Sequence, residues 1–343
     1  MSSCVLYQNS TATITILDVP HSIELGQGSS QNPRLISNQP PENPYPSVEP
    51  KSAIAKAKIG EASLKDLLLQ KHLQFALEEV KGLHVGSWCL PRVIAKHEGL
   101  EGQGERDLRI GKGRKRRRLG FEDAKISIEE SKEGDEGVEE NHAHLPDHGH
   151  CFYNSSQKPL TIQIGPRHEQ AIIPPKSTFL QGAVPQTVGL FGTNTPKFDI
   201  VVLDPPWPNR SAKRKKSYGI SYSNFEIHSL LSSIPIYDHL ASDSYVAIWV
   251  TNKPPFREMV TGEGGLFAEW GVKLVEEWVW LKVTCRGEPI YPLEASWRRP
   301  YELLLMGRRG QGSDEGDVKR RVIIAVPDLH SRKPNLKVLF ERM

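Results

Sequence analysis

The 343-residue chain has only four cysteines, Cys4, Cys89, Cys151 and Cys285, widely spaced and without a Cys-x-x-Cys pair. That excludes a disulfide scaffold and a four-cysteine zinc module, and it fits a reducing compartment. No apolar run approaches the roughly 18 residues of a membrane span, and the first thirty residues show no charged-then-apolar leader, so the expectation is a soluble, non-secreted protein without membrane contact. Net charge is also scarce, at +3, so any affinity for nucleic acid has to come from local patches. Apolar residues make up 38% of the chain beside 26 prolines, a low share that leaves part of it without a core. Length allows one to three domains.

Residues 11–17 alternate in a strand-like way up to Val19-Pro20, and residues 26–50 are rich in Gly, Ser, Asn and Pro. Between 62 and 80, Leu64, Leu67, Leu68, Phe75 and Leu77 recur at helical spacing, with Ser63 placed to cap. Residues 1–95 are therefore expected to form a small α+β region. Residues 96–158 read as a disordered charged linker. Its block Lys112-Gly113-Arg114-Lys115-Arg116-Arg117-Arg118 resembles a nuclear-localisation signal or a nucleic-acid arm, and a solvated charge run is the plain alternative. His142, His144, His148 and His150 beside Cys151 match no zinc spacing, and no metal is expected. From 159 onward strands are expected at 160–164, 178–180, 198–203, 245–250, 274–283, 301–306 and 322–326, with helical connectors at 227–232, 255–260, 266–270 and 336–342. That alternation predicts a mostly parallel α/β sheet.

The chemistry centres on Phe198-Asp199-Ile200-Val201-Val202-Leu203-Asp204-Pro205-Pro206-Trp207. A buried strand that ends in an acid, two prolines and a tryptophan opens into a rigid loop at the edge where α/β sheets bind ligands. Prolines lack N–H donors, so the Asp204 carboxylate and the Asp204 and Pro205 carbonyls are left as acceptors for an exocyclic amine, with Trp207 as a flat face for its ring. A proline-rich turn beside a buried Trp is the plain alternative. Lys213-Arg214-Lys215-Lys216, nearby in sequence, places four positive charges beside this pocket, as tracking a phosphate backbone requires. Arg286, Trp297 and Arg298 offer further phosphate and base contacts. A solubilising loop and a packing Trp are the corresponding alternatives.

Asp204-Pro205-Pro206-Trp207 resembles the catalytic signature of the MT-A family of S-adenosylmethionine-dependent adenine N(6)-methyltransferases. Ile173-Pro174-Pro175-Lys176-Ser177-Thr178-Phe179-Leu180, Trp249-Val250-Thr251-Asn252, Trp278-Val279-Trp280-Leu281-Lys282, Arg299-Pro300-Tyr301-Glu302 and His330-Ser331-Arg332-Lys333-Pro334 are similar to the ordered motifs of its methyltransferase-like protein four branch. The resemblance covers residues 172–343. It implies a permuted Rossmann-like methyltransferase sheet over 159–343 and catalysis at Asp204, Pro205, Pro206 and Trp207. It further implies a donor site including Asp204, Lys282, Ser177 and Phe179, and an aromatic gate at Tyr218. Action on adenine in nucleic acid, with RNA (a small nuclear RNA) ahead of DNA, and a monomeric state are carried over from it, while the nucleus is expected from the 112–118 basic run. The family's arrangement continues into a Phe-Ala-Arg-type donor strand, so the last strands of the sheet are expected to be missing after Leu339-Phe340-Glu341-Arg342-Met343. The rival expectations are a non-catalytic nucleic-acid-binding subunit and an inactive fragment.

Overall fold

A computed structural model describes residues 3–27, 34–46, 63–94, 150–164, 169–191, 196–208, 223–295, 298–310 and 318–343. In chain order the strands are β1 (Val5–Gln8), β2 (Ile14–Leu17), β3 (Ile36–Ser37), β4 (Val93–Ile94), β5 (His150–Asn154), β6 (Leu160–Ile164), β7 (Glu169–Ile173) and β8 (Ser177–Gln181). They are followed by β9 (Phe198–Leu203), β10 (Leu240–Val250), β11 (Lys273–Lys282), β12 (Tyr301–Arg308) and β13 (Lys319–Ala325).

Seven strands form the central sheet in the order β1-β2-β13-β11-β12-β10-β9. β9–β10, β11–β13 and β13–β2 are parallel pairs, whereas β10–β12, β11–β12 and β1–β2 run antiparallel. The sheet is thus mixed α/β and not mostly parallel. The cause lies in the connections: the described residues between β11 and β12 form no helix, and without a crossover helix the chain returns antiparallel.

The N-terminal residues also contribute to the sheet. β2 pairs Ile14 with Val322 and Ile16 with Ile324, so the N-terminal hairpin is an edge of the same sheet. Helix Leu64–Leu83, capped by Ser63 Oγ accepting the Asp66 N–H at 3.1 Å, packs into the same core. Its buried stripe is Leu69, Leu73, Ala76, Leu77 and Val80, while Leu64, Leu67, Leu68 and Phe75 from the expected stripe face outward. The helix carries two apolar stripes, and the sheet takes the one spaced i, i+4, i+7, i+8, i+11.

Strands 160–164 and 178–180 exist but lie outside the central sheet. β5 pairs with β8 and β6 with β7, in a small β unit held by buried Asn154, whose amide donates to the carbonyls of Lys158, Ile173 and Pro174 at 2.9, 3.1 and 3.0 Å. In the main sheet, side chains alternate between two cores, as strand geometry demands. Val246, Ile248 and Val250 point to the face that carries the 64–83 helix, and Ala247, Trp249, Trp278 and Trp280 to the face that carries Val19 and Leu339.

Candidate active site

The carboxyl ends of β9, β10, β11 and β13 and the amino end of β12 share one edge of the sheet. Asp204 follows β9, Lys282 ends β11 and Glu302 is the second residue of β12, so three charged side chains meet there. Lys333 joins them from the segment after β13. Its Nζ lies 3.2 Å from Asp204 Oδ2 and 3.1 Å from Glu302 Oε2. Lys282 pairs with the other Glu302 oxygen and sits 4.4 Å over the Trp280 ring. The result is an alternating row, Lys282, Glu302, Lys333, Asp204, backed by tryptophan.

The electrostatics follow from this row. Burial by the surrounding loop pushes the Asp204 carboxyl above its ordinary value, against the opposing pull of Lys333, although the side chain keeps 45% of its surface in solvent. Burial also works to raise Glu302, but Lys282 and Lys333 outweigh it and hold that carboxyl below its usual range. For Lys333 burial acts to lower the ammonium, and the Glu302 and Asp204 carboxylates override it and raise it.

The loop after Asp204 is fixed from within. Pro205 is buried, and its carbonyl accepts the Trp207 N–H at 2.8 Å, so one of its two lone pairs is already used. Trp207 is only 8% exposed; its indole donates to the Trp249 carbonyl at 2.7 Å and packs on Phe256 with 4.9 Å between ring centres. The free stacking face expected of Trp207 is therefore not presented: the side chain is an anchor in the core. Pro206 stands exposed at the rim.

The remaining candidates divide into groups. Arg286 and Arg298 lie in the connection between β11 and β12, on the same edge as the charged row. Arg286 is paired loosely with Glu42 at 3.4 Å, and Arg298 donates to the Tyr291 hydroxyl at 3.2 Å. Ser177 and Phe179 lie on β8, in the separate β unit, where Ser177 donates to the Pro174 carbonyl at 2.6 Å and Phe179 stacks on Phe152. No described contact joins them to Asp204. Lys213, Arg214, Lys215, Lys216, Tyr218 and Trp297 fall outside the described residues, as do the 112–118 basic run and His142, His144 and His148. Among the described residues no group of three or more His, Cys, Asp or Glu side chains is placed to hold a metal, and no helix is long and apolar enough to cross a membrane.

Glu302 and Lys333 were visible in the sequence only as members of motifs. The available signal was a lone acid in an otherwise apolar strand, Tyr301-Glu302-Leu303-Leu304-Leu305-Met306, and a lysine fixed by the following Pro334.

A family model described as MT-A70 matches residues 198–343. The chain is 34% identical over 349 residues to "N6-methyladenosine RNA methyltransferase MTA1" of Cryphonectria parasitica, covering 98% of this chain and 82% of that protein. It is 33% identical to the protein of the same name from Pyricularia oryzae, over 100% of this chain and 88% of the other. "N(6)-adenine-specific methyltransferase METTL4" of Homo sapiens is 34% identical over 53% of this chain and 39% of its own length.

Proposed function

Since the chain belongs to the MT-A70 family of adenine N6-methyltransferases, we propose that its substrate is adenine in RNA, that S-adenosylmethionine is the donor, and that the row from Lys282 to Asp204 is the active site. RNA is favoured over DNA because the relatives that align along the whole chain carry RNA in their names. A small nuclear RNA is the first member of that class to test.

The observation that carries the reading is the Asp204 carboxylate, anchored by Trp207 and half open to solvent, beside two ammonium groups and a second carboxylate. These groups fit the donor: its carboxylate calls for a cation, which Lys282 supplies, and its positive centre is favoured near Asp204 and the Trp280 ring. When bound, the donor supplies an electrophilic methyl and leaves as a neutral thioether. Asp204 and the second lone pair of the Pro205 carbonyl accept the two amine hydrogens and so aim the nitrogen lone pair. The methylated nitrogen must shed one proton, and Asp204, whose burial favours its protonated form, is placed to take it. Lys333 holds the Asp204 carboxylate in place until the amine arrives. Arg286 and Arg298, with Lys213, Arg214, Lys215 and Lys216, are assigned to the phosphate backbone, and Tyr218 and Trp297 to the base. Ser177 and Phe179 remain proposed donor contacts only, on the motif they share with the family. The working state is a monomer.

The test is methyl transfer by the purified chain to matched RNA and DNA oligonucleotides, with Asp204→Ala as control. The expected result is N6-methylated RNA adenine and loss of product in the variant. Full activity in Asp204→Ala would overturn the site, and DNA turned over faster than RNA would overturn the substrate. Nuclear location is proposed on residues 112–118: a reporter carrying that run should enter the nucleus and should stay outside once its basic residues are replaced by Gln.

A further inference from the structure

The segment that delivers Lys333 contains Ser331 at φ 67°, a left-handed conformation for a residue with a Cβ. Such geometry persists only where the surroundings over-determine it. What surrounds this segment is a knot of polar groups from the N-terminal half of the chain. The Arg92 guanidinium donates to the carbonyls of Val326, Pro327 and Asn38 at 2.9, 2.8 and 3.2 Å. It also lies 3.7 Å from Asp328, and the two side chains are 2% and 0% exposed. Asp328 in turn accepts the Asn38 N–H at 2.9 Å, the Ser37 hydroxyl at 3.2 Å and the Arg332 guanidinium, and Arg332 donates onward to the Ile36 carbonyl at 2.9 Å.

Apart from Arg92 to the Asn38 carbonyl and Arg332 to Asp328, these contacts join residues 36–38 or Arg92 to residues 326–332. The strand pair they come from has no core to justify them: β3 and β4 match over two residues each, and Ile36, Val93 and Ile94 are exposed. A buried arginine fork is poor at adding stability but good at fixing geometry, because its planar donors accept only one arrangement of carbonyls.

We infer that Arg92 and Asp328 are positioning residues for Lys333, holding the 326–332 backbone so that the ammonium falls between Asp204 and Glu302. This rests on the reading of Asp204 as the amine acceptor. It gives the N-terminal region a part in the chemistry although none of its residues in this knot touches the row itself.

The test uses the full chain with Arg92→Gln, Lys333→Met and the double variant. The first readout is the titration of the Asp204 carboxylate by carbon-13 NMR of aspartate-labelled protein, which needs no turnover. The charged groups facing Asp204 are Lys333, Glu302 and Lys282. Displacing Lys333 should move the Asp204 titration to higher pH in Arg92→Gln, by about as much as in Lys333→Met and no further in the double variant. The second readout is methyl transfer: kcat should fall about 10- to 100-fold with KM for RNA little changed, the expected cost of a group misplaced by an ångström or so. The loss should not multiply with Lys333→Met, since both act through one ammonium. An unchanged Asp204 titration in folded Arg92→Gln, or losses that multiply, would refute the inference. If Arg92→Gln does not fold, Arg92→Lys keeps the charge and loses the fork, and the same two readouts then decide the matter in the same way. A wild-type chain inactive on RNA would refute the proposed function instead, while the titration still decides the role of Arg92.

Discussion

Replacing Trp207 by Phe separates an anchor from a stacking platform. The substitution keeps an aromatic ring against Phe256 but removes the indole N–H that reaches the Trp249 carbonyl at 2.7 Å. The buried carbonyl is then left without that donor, at about 1–3 kcal/mol. The smaller ring gives up some apolar contact in a site only 8% exposed, adding about 1 kcal/mol. With a urea slope near 3 kcal/mol/M for a chain of this size, the midpoint should fall by about 1 M at unchanged slope. The same loss loosens the loop that aims Asp204, so kcat should drop about 10- to 100-fold. Urea unfolding followed by far-UV circular dichroism and single-turnover methyl transfer measure the two effects. An unchanged midpoint combined with a raised KM for RNA would refute the anchor and restore Trp207 as the residue that stacks the base.

Asp204→Asn should abolish transfer without weakening the fold. The native carboxyl sits above its ordinary value, so its ionisation costs stability at neutral pH, and that cost disappears as pH falls below the unfolded value of about 4. The variant should therefore match or exceed the wild type in urea midpoint at neutral pH, with the gap closing on acidification; a clearly weaker variant contradicts this. Glu302→Gln should behave in the opposite way. Glu302 is held below its ordinary value, so its contribution is present above about pH 4 and fades as pH falls through the lowered native value. Removing it should cost about 1–3 kcal/mol at neutral pH, and a variant midpoint equal to wild type there would show that the two lysines do not depend on it.

The parts of the fold written locally were legible. The helix start at Ser63 depends on one hydroxyl and one N–H three residues on, and the end of β9 on an apolar run stopped by Asp204 and two prolines. What escaped was set by distant partners. The burial of Trp207 depends on Phe256 and Trp249, neither of which its own neighbourhood announces. The choice between the two apolar stripes of the 64–83 helix depends on which one meets the sheet. Glu302 and Lys333 acquire a role only when β12 and the segment after β13 converge on β9. The turn at Gly287 illustrates the same limit. Its φ of +78° is a local feature that glycine announces, but the Trp88 ring, 2.3 Å from where a Cβ would stand, comes from far along the chain.

The pairing of β2 with β13 has a consequence for how the protein is made. Ile14, Thr15, Ile16 and Leu17 are all buried, and their partner strand begins at Lys319. A two-stranded hairpin is marginal alone in water. At ribosomal speeds of about 5–20 residues per second, roughly three hundred residues separate the synthesis of this hairpin from that of its partner, an interval of about 15–60 s. Throughout that time the hairpin lacks the strand it pairs with, and its early partner is helix Leu64–Leu83, which shares its core and whose Glu79 accepts from the Asn9 amide at 3.1 Å. β2 is thus made well before the strand that seats it, and refolding of the finished chain must close the same long loop before the sheet is complete.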